Sequence, residues 1–145
     1  MLTFDPPRHT SSIQSPATNM PTLKQVTCSI DLGSSNIKLK EYGHRYRDGT
    51  VETFIAVPDS PMPFSVHVTS EGYIAPGLSA FVYIDGIYHT NRNRLDLQMP
   101  NPGVPKEAYE IDFRLRQKEE KTDGKTFVTR DWVFTALDTS ESPLL

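Results

Sequence analysis

The chain has a single cysteine, Cys28, so no intramolecular disulfide can form. That excludes a stapled secreted scaffold, and an unpaired thiol suits a reducing compartment. Acceptors for asparagine-linked glycosylation are missing as well. Asn19, Asn36, Asn91, Asn93 and Asn101 each lack a hydroxyl residue two places on. No long hydrophobic run exists. The N-terminus has no apolar segment of the signal-peptide kind, and stretches such as Ala80–Ile84 are far too short for the hydrocarbon of a bilayer. Together these absences predict a soluble intracellular protein, cytoplasmic or nuclear, without membrane association.

A basic surplus is also absent. The chain carries 15 Lys and Arg against 18 Asp and Glu, a formal net charge of -3. Dedicated nucleic-acid binders usually carry a strong positive excess, so this balance argues against that class while leaving room for a local basic patch. At 145 residues the chain suits one domain. A fold of that size buries roughly 68–70% of its unfolded surface and needs no covalent staple.

What the sequence does contain is a period of two. Residues 1–21 have Pro, Ser, Thr and Asn, few large apolar side chains and no period, which predicts a disordered arm. Residues 139–145 read as a loose tail. Between them, over 22–138, apolar and polar residues alternate as in half-buried strands. Gln25–Ile30 puts Val26, Cys28 and Ile30 on one face, and Asn36–Tyr42 does the same with Ile37 and Leu39. Val51–Val57 is rich in β-branched and aromatic residues. Phe64–Thr69 alternates, with Phe64, Val66 and Val68 inward and Ser65, His67 and Thr69 outward. Leu78–Ile84 is nearly all apolar and predicts a central strand buried on both faces, with Ile87–His89 as its short partner. Arg94–Met99 places Leu95, Leu97 and Met99 together.

Tyr109–Gln117 is rich in helix-forming residues, yet Tyr109, Ile111, Phe113 and Leu115 are spaced strictly by two with charged residues between them. On a helix those four would spread over more than one face, so the segment reads as a strand. Thr126–Leu137 is the last strand and sets Trp132 and Phe134 opposite Phe127. No long segment has helical period, and a single turn at Pro105–Ala108 is the best helical candidate.

The turn residues agree with this reading. Asp48-Gly49, Asp85-Gly86 and Asp123-Gly124 suit the positive φ angles of tight hairpins. The prolines at 58, 61 and 63 and at 100, 102 and 105 fall in two gaps between strands. Eight or nine short strands joined this way predict an all-β fold, an antiparallel β-sandwich or a jelly-roll-like barrel.

Catalytic signals are sparse. His9, His44, His67 and His89 are scattered without metal-ligand spacing, so no metal is predicted. Cys28 falls on the apolar face of its strand, where a thiol is normally inert. Ser34 and Ser35 lie outside any nucleophile elbow, and neither a Walker loop nor a dinucleotide fingerprint occurs. Asp85 belongs to a hairpin turn, and Glu110 and Asp112 alternate with Arg114 and Arg116 on a mixed-charge face. No catalytic residue and no cofactor is predicted. The basic residues are the clearest cluster. Arg92, Arg94, Arg114, Arg116 and Arg130 form a candidate anion site if their strands pair, suited to phosphate, RNA or an acidic peptide.

Several strings carry a family resemblance by their order: KEYGHRYRDGTVETFIAVP (Lys40–Pro58), PFSVHVTSEGYIAPGLSAFVYIDG (Pro63–Gly86), NRNRL (Asn91–Leu95), FRLRQKEEK (Phe113–Lys121) and RDWVF (Arg130–Phe134). Over Val26 to Leu137 the chain resembles an uncharacterised fungal family known as a domain of unknown function. The resemblance implies a fungal source and a β-sandwich with disordered extensions, and it implies no activity. Three functional expectations follow. The leading one is a non-catalytic protein-interaction or scaffold module with a protein partner. The second is an anion or nucleic-acid binder using the five arginines. The third is a carbohydrate-binding module or jelly-roll enzyme, which requires a concave sheet lined by Tyr73, Tyr88 or Trp132.

Overall fold

The structure is a computed structural model and describes residues 22–136 apart from 123 and 125. The arm expected over 1–21, the tail over 139–145, Leu137 and the first residue of the Asp123-Gly124 turn lie outside the described residues. Among the described residues the regular structure is all β, apart from one 3-10 turn at Lys106–Ala108. The strands are β1 (Thr22–Leu23), β2 (Val26–Leu32), β3 (Ile37–Lys38), β4 (Glu41–Arg47), β5 (Thr50–Ile55) and β6 (Met62–Ser70). They continue with β7 (Leu78–Ile84), β8 (Ile87–Arg94), β9 (Asp112–Leu115), β10 (Gln117–Thr122), β11 (Thr126–Asp131) and β12 (Val133–Phe134). Their ladders are antiparallel.

The strand count exceeds the eight or nine expected for two reasons. β1, β3 and β12 have two residues each, too few to carry a period. In addition, a break after Lys38 divides the expected Asn36–Tyr42 between β3 and β4, one at Trp132 divides Thr126–Leu137 between β11 and β12, and β10 extends beyond the expected end at Gln117. A long central strand, β6, organises the main sheet, whose order is β1-β2-β6-β12 with β3 also on β2 and β9 also on β6. The other strands form the hairpins β4–β5, β7–β8 and β10–β11.

Opposed residues in an antiparallel ladder share a face. Cys28, Ile30 and Leu32 of β2 stand opposite Val68, Val66 and Phe64 of β6. Val66 and Val68 in turn stand opposite Leu115 and Phe113 of β9. This makes one apolar face. On the other, Thr27, Ser29 and Asp31 meet Thr69, His67 and Ser65, and His67 and Thr69 meet Arg114 and Asp112. The core lies on the apolar side: Val68, Leu97, Ile111, Phe113, Leu115 and Trp132 are buried. Leu78, Ala80, Val82 and Ile84, the even positions of β7, pack onto it. The packing is therefore sandwich-like, with the β7–β8 hairpin lying over the β6–β9 part of the sheet.

Two expected hairpin turns form as read. Asp48 and Gly49 have φ of 46° and 76°, and Asp85 and Gly86 have 52° and 77°. Both dipeptides place two successive residues in the positive-φ region that a tight two-residue hairpin requires. Gly77, just before β7, has a stricter role. Its φ is +147°, and an added Cβ would sit 1.9 Å from the Arg94 carbonyl oxygen, so only glycine lets the two chains approach there.

Four expectations need correction. Leu78–Ile84 is not buried on both faces: β7 pairs only with β8, and Phe81 and Tyr83 are 57% and 62% exposed. An apolar run reports what a strand offers for burial, not whether both of its faces find cover. The partner strand is longer than Ile87–His89 because polar Thr90–Arg94 continue the ladder opposite Leu78–Val82. Arg94–Met99 is not a strand beyond Arg94, and only Leu97 of its three apolar residues is buried. Finally, Pro63 lies inside β6 and not in a gap. It sits near the start of the strand, and its carbonyl accepts a hydrogen bond from the Gly33 amide at 2.8 Å.

Candidate functional site

The five arginines do not share one surface. Arg92 lies over the Phe113 ring, 5.4 Å from its centroid, on the apolar side of β9. Arg114 is the next residue along β9, and its guanidinium points to the opposite face, where Nε donates to Asp31 Oδ2 at 3.0 Å. Side chains alternate across a strand, so the sheet separates these two groups. Arg94 pairs with Asp96 at 3.4 Å and donates to the Glu107 carbonyl. Arg130 is 3.9 Å from Glu120, whose carboxyl is held below its ordinary range by a hydrogen bond from Lys118, the Lys118 charge and Arg130. Arg116 lines a small recess of about 150 Å³ together with Asp131. A carboxylate accompanies four of the five, and an incoming anion would compete with each of them.

The polar face of the sheet instead assembles a network that strand-by-strand reading did not single out. Asp31 is 1% exposed. It accepts from Ser29 Oγ at 3.3 Å and from Arg114 Nε at 3.0 Å. His67 Nδ1 lies 3.2 Å from an Arg114 terminal nitrogen, and His67 Nε2 lies 2.8 Å from Asp112 Oδ1. Arg114, which can only donate, and Asp31 Oδ2, which can only accept when ionised, both face Nδ1, the latter at 3.4 Å, and Asp112 faces Nε2. Both imidazole nitrogens are therefore engaged. The network acts as a polar tie across β2, β6 and β9. Beside it, Ser65 Oγ is buried without a hydrogen-bond partner.

On the apolar face, the edge of the sheet beyond the core is open. Val26, Cys28 and Ile30 of β2 form one wall of a cleft of about 470 Å³, with Val51 and Ile55 of β5 and Leu78 of β7 on the others. Glu41, the first residue of β4, also lines it and is only 4% exposed. Its Oε2 makes no hydrogen bond. The closest charge partner is His44 Nε2 at 3.5 Å, an atom that is itself buried without a hydrogen bond. That separation is at the outer limit for a hydrogen bond, so the contact is a weak one. Burial accordingly raises the Glu41 carboxyl above its ordinary value, more than His44 and Lys38 lower it.

Cys28 has substantial exposed surface, but its position on the apolar wall leaves the thiol poorly solvated. Burial, then the negative charges of Glu41 and Asp31, push it up to about 11. The thiolate is therefore scarce at neutral pH, as expected for an inert cysteine.

No protein-family model, curated protein or solved structure matches the chain.

The aromatic residues divide into a buried and an exposed set. Trp132 is in the core, 5% exposed, and its indole N–H donates to His89 Nδ1 at 3.0 Å. Tyr73 packs against the same core, whereas Tyr88 is exposed, so these three do not line one concave sheet. The outward face of β7–β8 is different. Phe81 and Tyr83 project from it, Phe81 stands opposite Asn91, and Ser79 stands opposite Asn93. Tyr83 and Tyr88 meet edge to face at 5.7 Å, and Asn91 Nδ2 donates to Tyr88 Oη at 2.6 Å.

Reading each strand separately missed Asp31, His67, Asp112 and Glu41 as a set. The available signal was parity: Asp31, His67 and Asp112 all occupy polar alternates of strands whose other alternates are apolar. Glu41 left no such signal. Among the described residues no group of three or more His, Cys, Asp or Glu is arranged to hold a metal ion.

Proposed function

We propose that the chain is a non-catalytic protein-interaction module whose contact surface is the outward face of the β7–β8 hairpin. One observation carries this reading: Phe81 and Tyr83 are each more than half exposed on one face of the hairpin, with exposed Tyr88 opposite Tyr83, and are interleaved with Ser79, Asn91 and Asn93. Exposed aromatic clusters with adaptable polar neighbours are the composition of protein contact surfaces. The Tyr83–Tyr88 edge contact and the Asn91–Tyr88 hydrogen bond hold part of that surface in place, which lowers the entropy cost of association.

Anion binding through the arginines has weaker support, because Arg94, Arg114 and Arg130 already pair with carboxylates. Membership of the uncharacterised fungal family rests on the order of the strings given above, and an intracellular location rests on the lone thiol. No helix among the described residues is long and apolar enough to cross a membrane.

A photo-crosslinking residue at position 81, expressed in cells, tests the interaction reading. A discrete partner should be trapped there, and it should be lost when Tyr83→Ser and Tyr88→Ser are added in a variant that keeps its circular dichroism. Trapping that is absent, or unchanged by those substitutions, would sink it.

A further inference from the structure

We propose that the cleft between β2 and the β4–β5 hairpin is a binding site for a small apolar molecule bearing one ammonium group, with Glu41 as its counter-ion. This site is separate from the β7–β8 contact face and does not depend on it.

Size and lining come first. A cleft of about 470 Å³ walled by Val26, Cys28, Ile30, Val51, Ile55 and Leu78 has the volume and apolar character of a small-molecule pocket. It also lies on the same sheet face as the hydrophobic core, where the alternating pattern of β2 supplies apolar side chains that protein atoms leave partly uncovered. An apolar guest removes that surface from water.

The choice of an ammonium group rests on charge complementarity. Glu41 lines the cleft and is itself buried, and its Oε2 has no hydrogen-bond partner among the described residues. A buried carboxylate without a donor is costly, and an ammonium brings both a positive charge and three donors. Glu41 also acts electrostatically on Cys28, which lies on the cleft wall, so its field reaches the cavity. The opposing charges are Lys24, exposed at the rim, and Lys38, which also acts on Glu41 and is likewise exposed. Water and salt screen an exposed charge much more than a buried one, so the acid dominates inside. His44 faces Glu41 from the same strand at 3.5 Å and competes with the guest when protonated.

Three nearly isosteric probes separate the hydrophobic and ionic contributions: 1-adamantanamine, 1-adamantanol and 1-adamantanecarboxylate. In calorimetric titrations of the full chain near neutral pH, the amine should bind about tenfold or more tightly than the carboxylate, with the alcohol between them. The amine should also slow alkylation of Cys28 by iodoacetamide in mildly alkaline buffer. Glu41→Gln should bring the amine down to the alcohol. In the unsubstituted protein, acidification through the Glu41 titration should erode the same preference, which keeps the test open if the variant folds poorly. Val51→Trp, which fills the cleft, should abolish binding of all three. No binding by any probe, a carboxylate that binds as well as the amine, or a preference that survives both Glu41→Gln and acidification would overturn the proposal.

Discussion

The apolar face of the central sheet has two halves built from the same kinds of residue and finished differently. Around β6 and β9, Val68, Phe113 and Leu115 are sealed by the even side of β7 and by Trp132. Around β2, Val26 and Ile30 are only half-buried and Cys28 is exposed, because the β4–β5 hairpin stands off and leaves the cleft. Both halves alternate apolar and polar residues with equal regularity. The difference lies in what covers them, and alternation records which side of a strand is apolar without recording the cover.

The sharpest way to break this comparison is to truncate across it. Trp132→Ala removes the largest core side chain together with its hydrogen bond to His89, and should cost about 4 kcal/mol in denaturant unfolding. Leu115→Ala and Ile30→Ala remove comparable side chains from the two halves. The first should cost about 3 kcal/mol and the second about 1 kcal/mol, since the cleft wall has less packing to lose. Equal losses would mean that the β2 half is packed as fully as the β9 half.

The polar face supplies the next test. Asp31→Asn keeps the volume but leaves Arg114 without its carboxylate, and should cost about 2 kcal/mol by urea titration. Partial exposure of Arg114 keeps the loss below the usual range for a broken buried pair. Compared with Asp31→Asn alone, a double-mutant cycle with Arg114→Met should recover part of the loss.

The smallest effect concerns the cleft carboxyl, and its sign depends on pH. Burial raises the Glu41 value in the folded state, so the protonated form favours folding. That contribution is fully present below the unfolded value and is lost as pH rises through the folded one. Glu41→Gln should therefore be more stable than the parent at neutral pH, by about 1 kcal/mol, the scale of a buried unsatisfied acceptor. The gain should vanish below the ordinary carboxylate range. Melting curves at several pH values would read it, and a gain independent of pH would mean that the Glu41 charge carries no penalty.

Much of the fold was legible. The Asp48-Gly49 and Asp85-Gly86 turns, the strict spacing through Ile111, Phe113 and Leu115, and the opposition of Trp132 to exposed Phe127 all follow from backbone sterics and the two-residue period. The candidate sites were less so. The arginines would converge if their strands paired with those side chains on one face, but Arg92 and Arg114 lie on opposite sides of β9. The Asp31–Arg114–His67–Asp112 network joins residues as far as 83 positions apart in the chain, and only strand register brings them together.

The sequence by itself determined the strand character, two tight turns and which alternate of β2, β6 and β9 is apolar, because these depend on near neighbours. Only the tertiary structure decided which apolar face is covered, that β7 keeps an aromatic side open to solvent, and that Glu41 is buried beside a cleft. Those outcomes depend on how far a hairpin stands from a sheet, a distance fixed by contacts between residues remote in the chain.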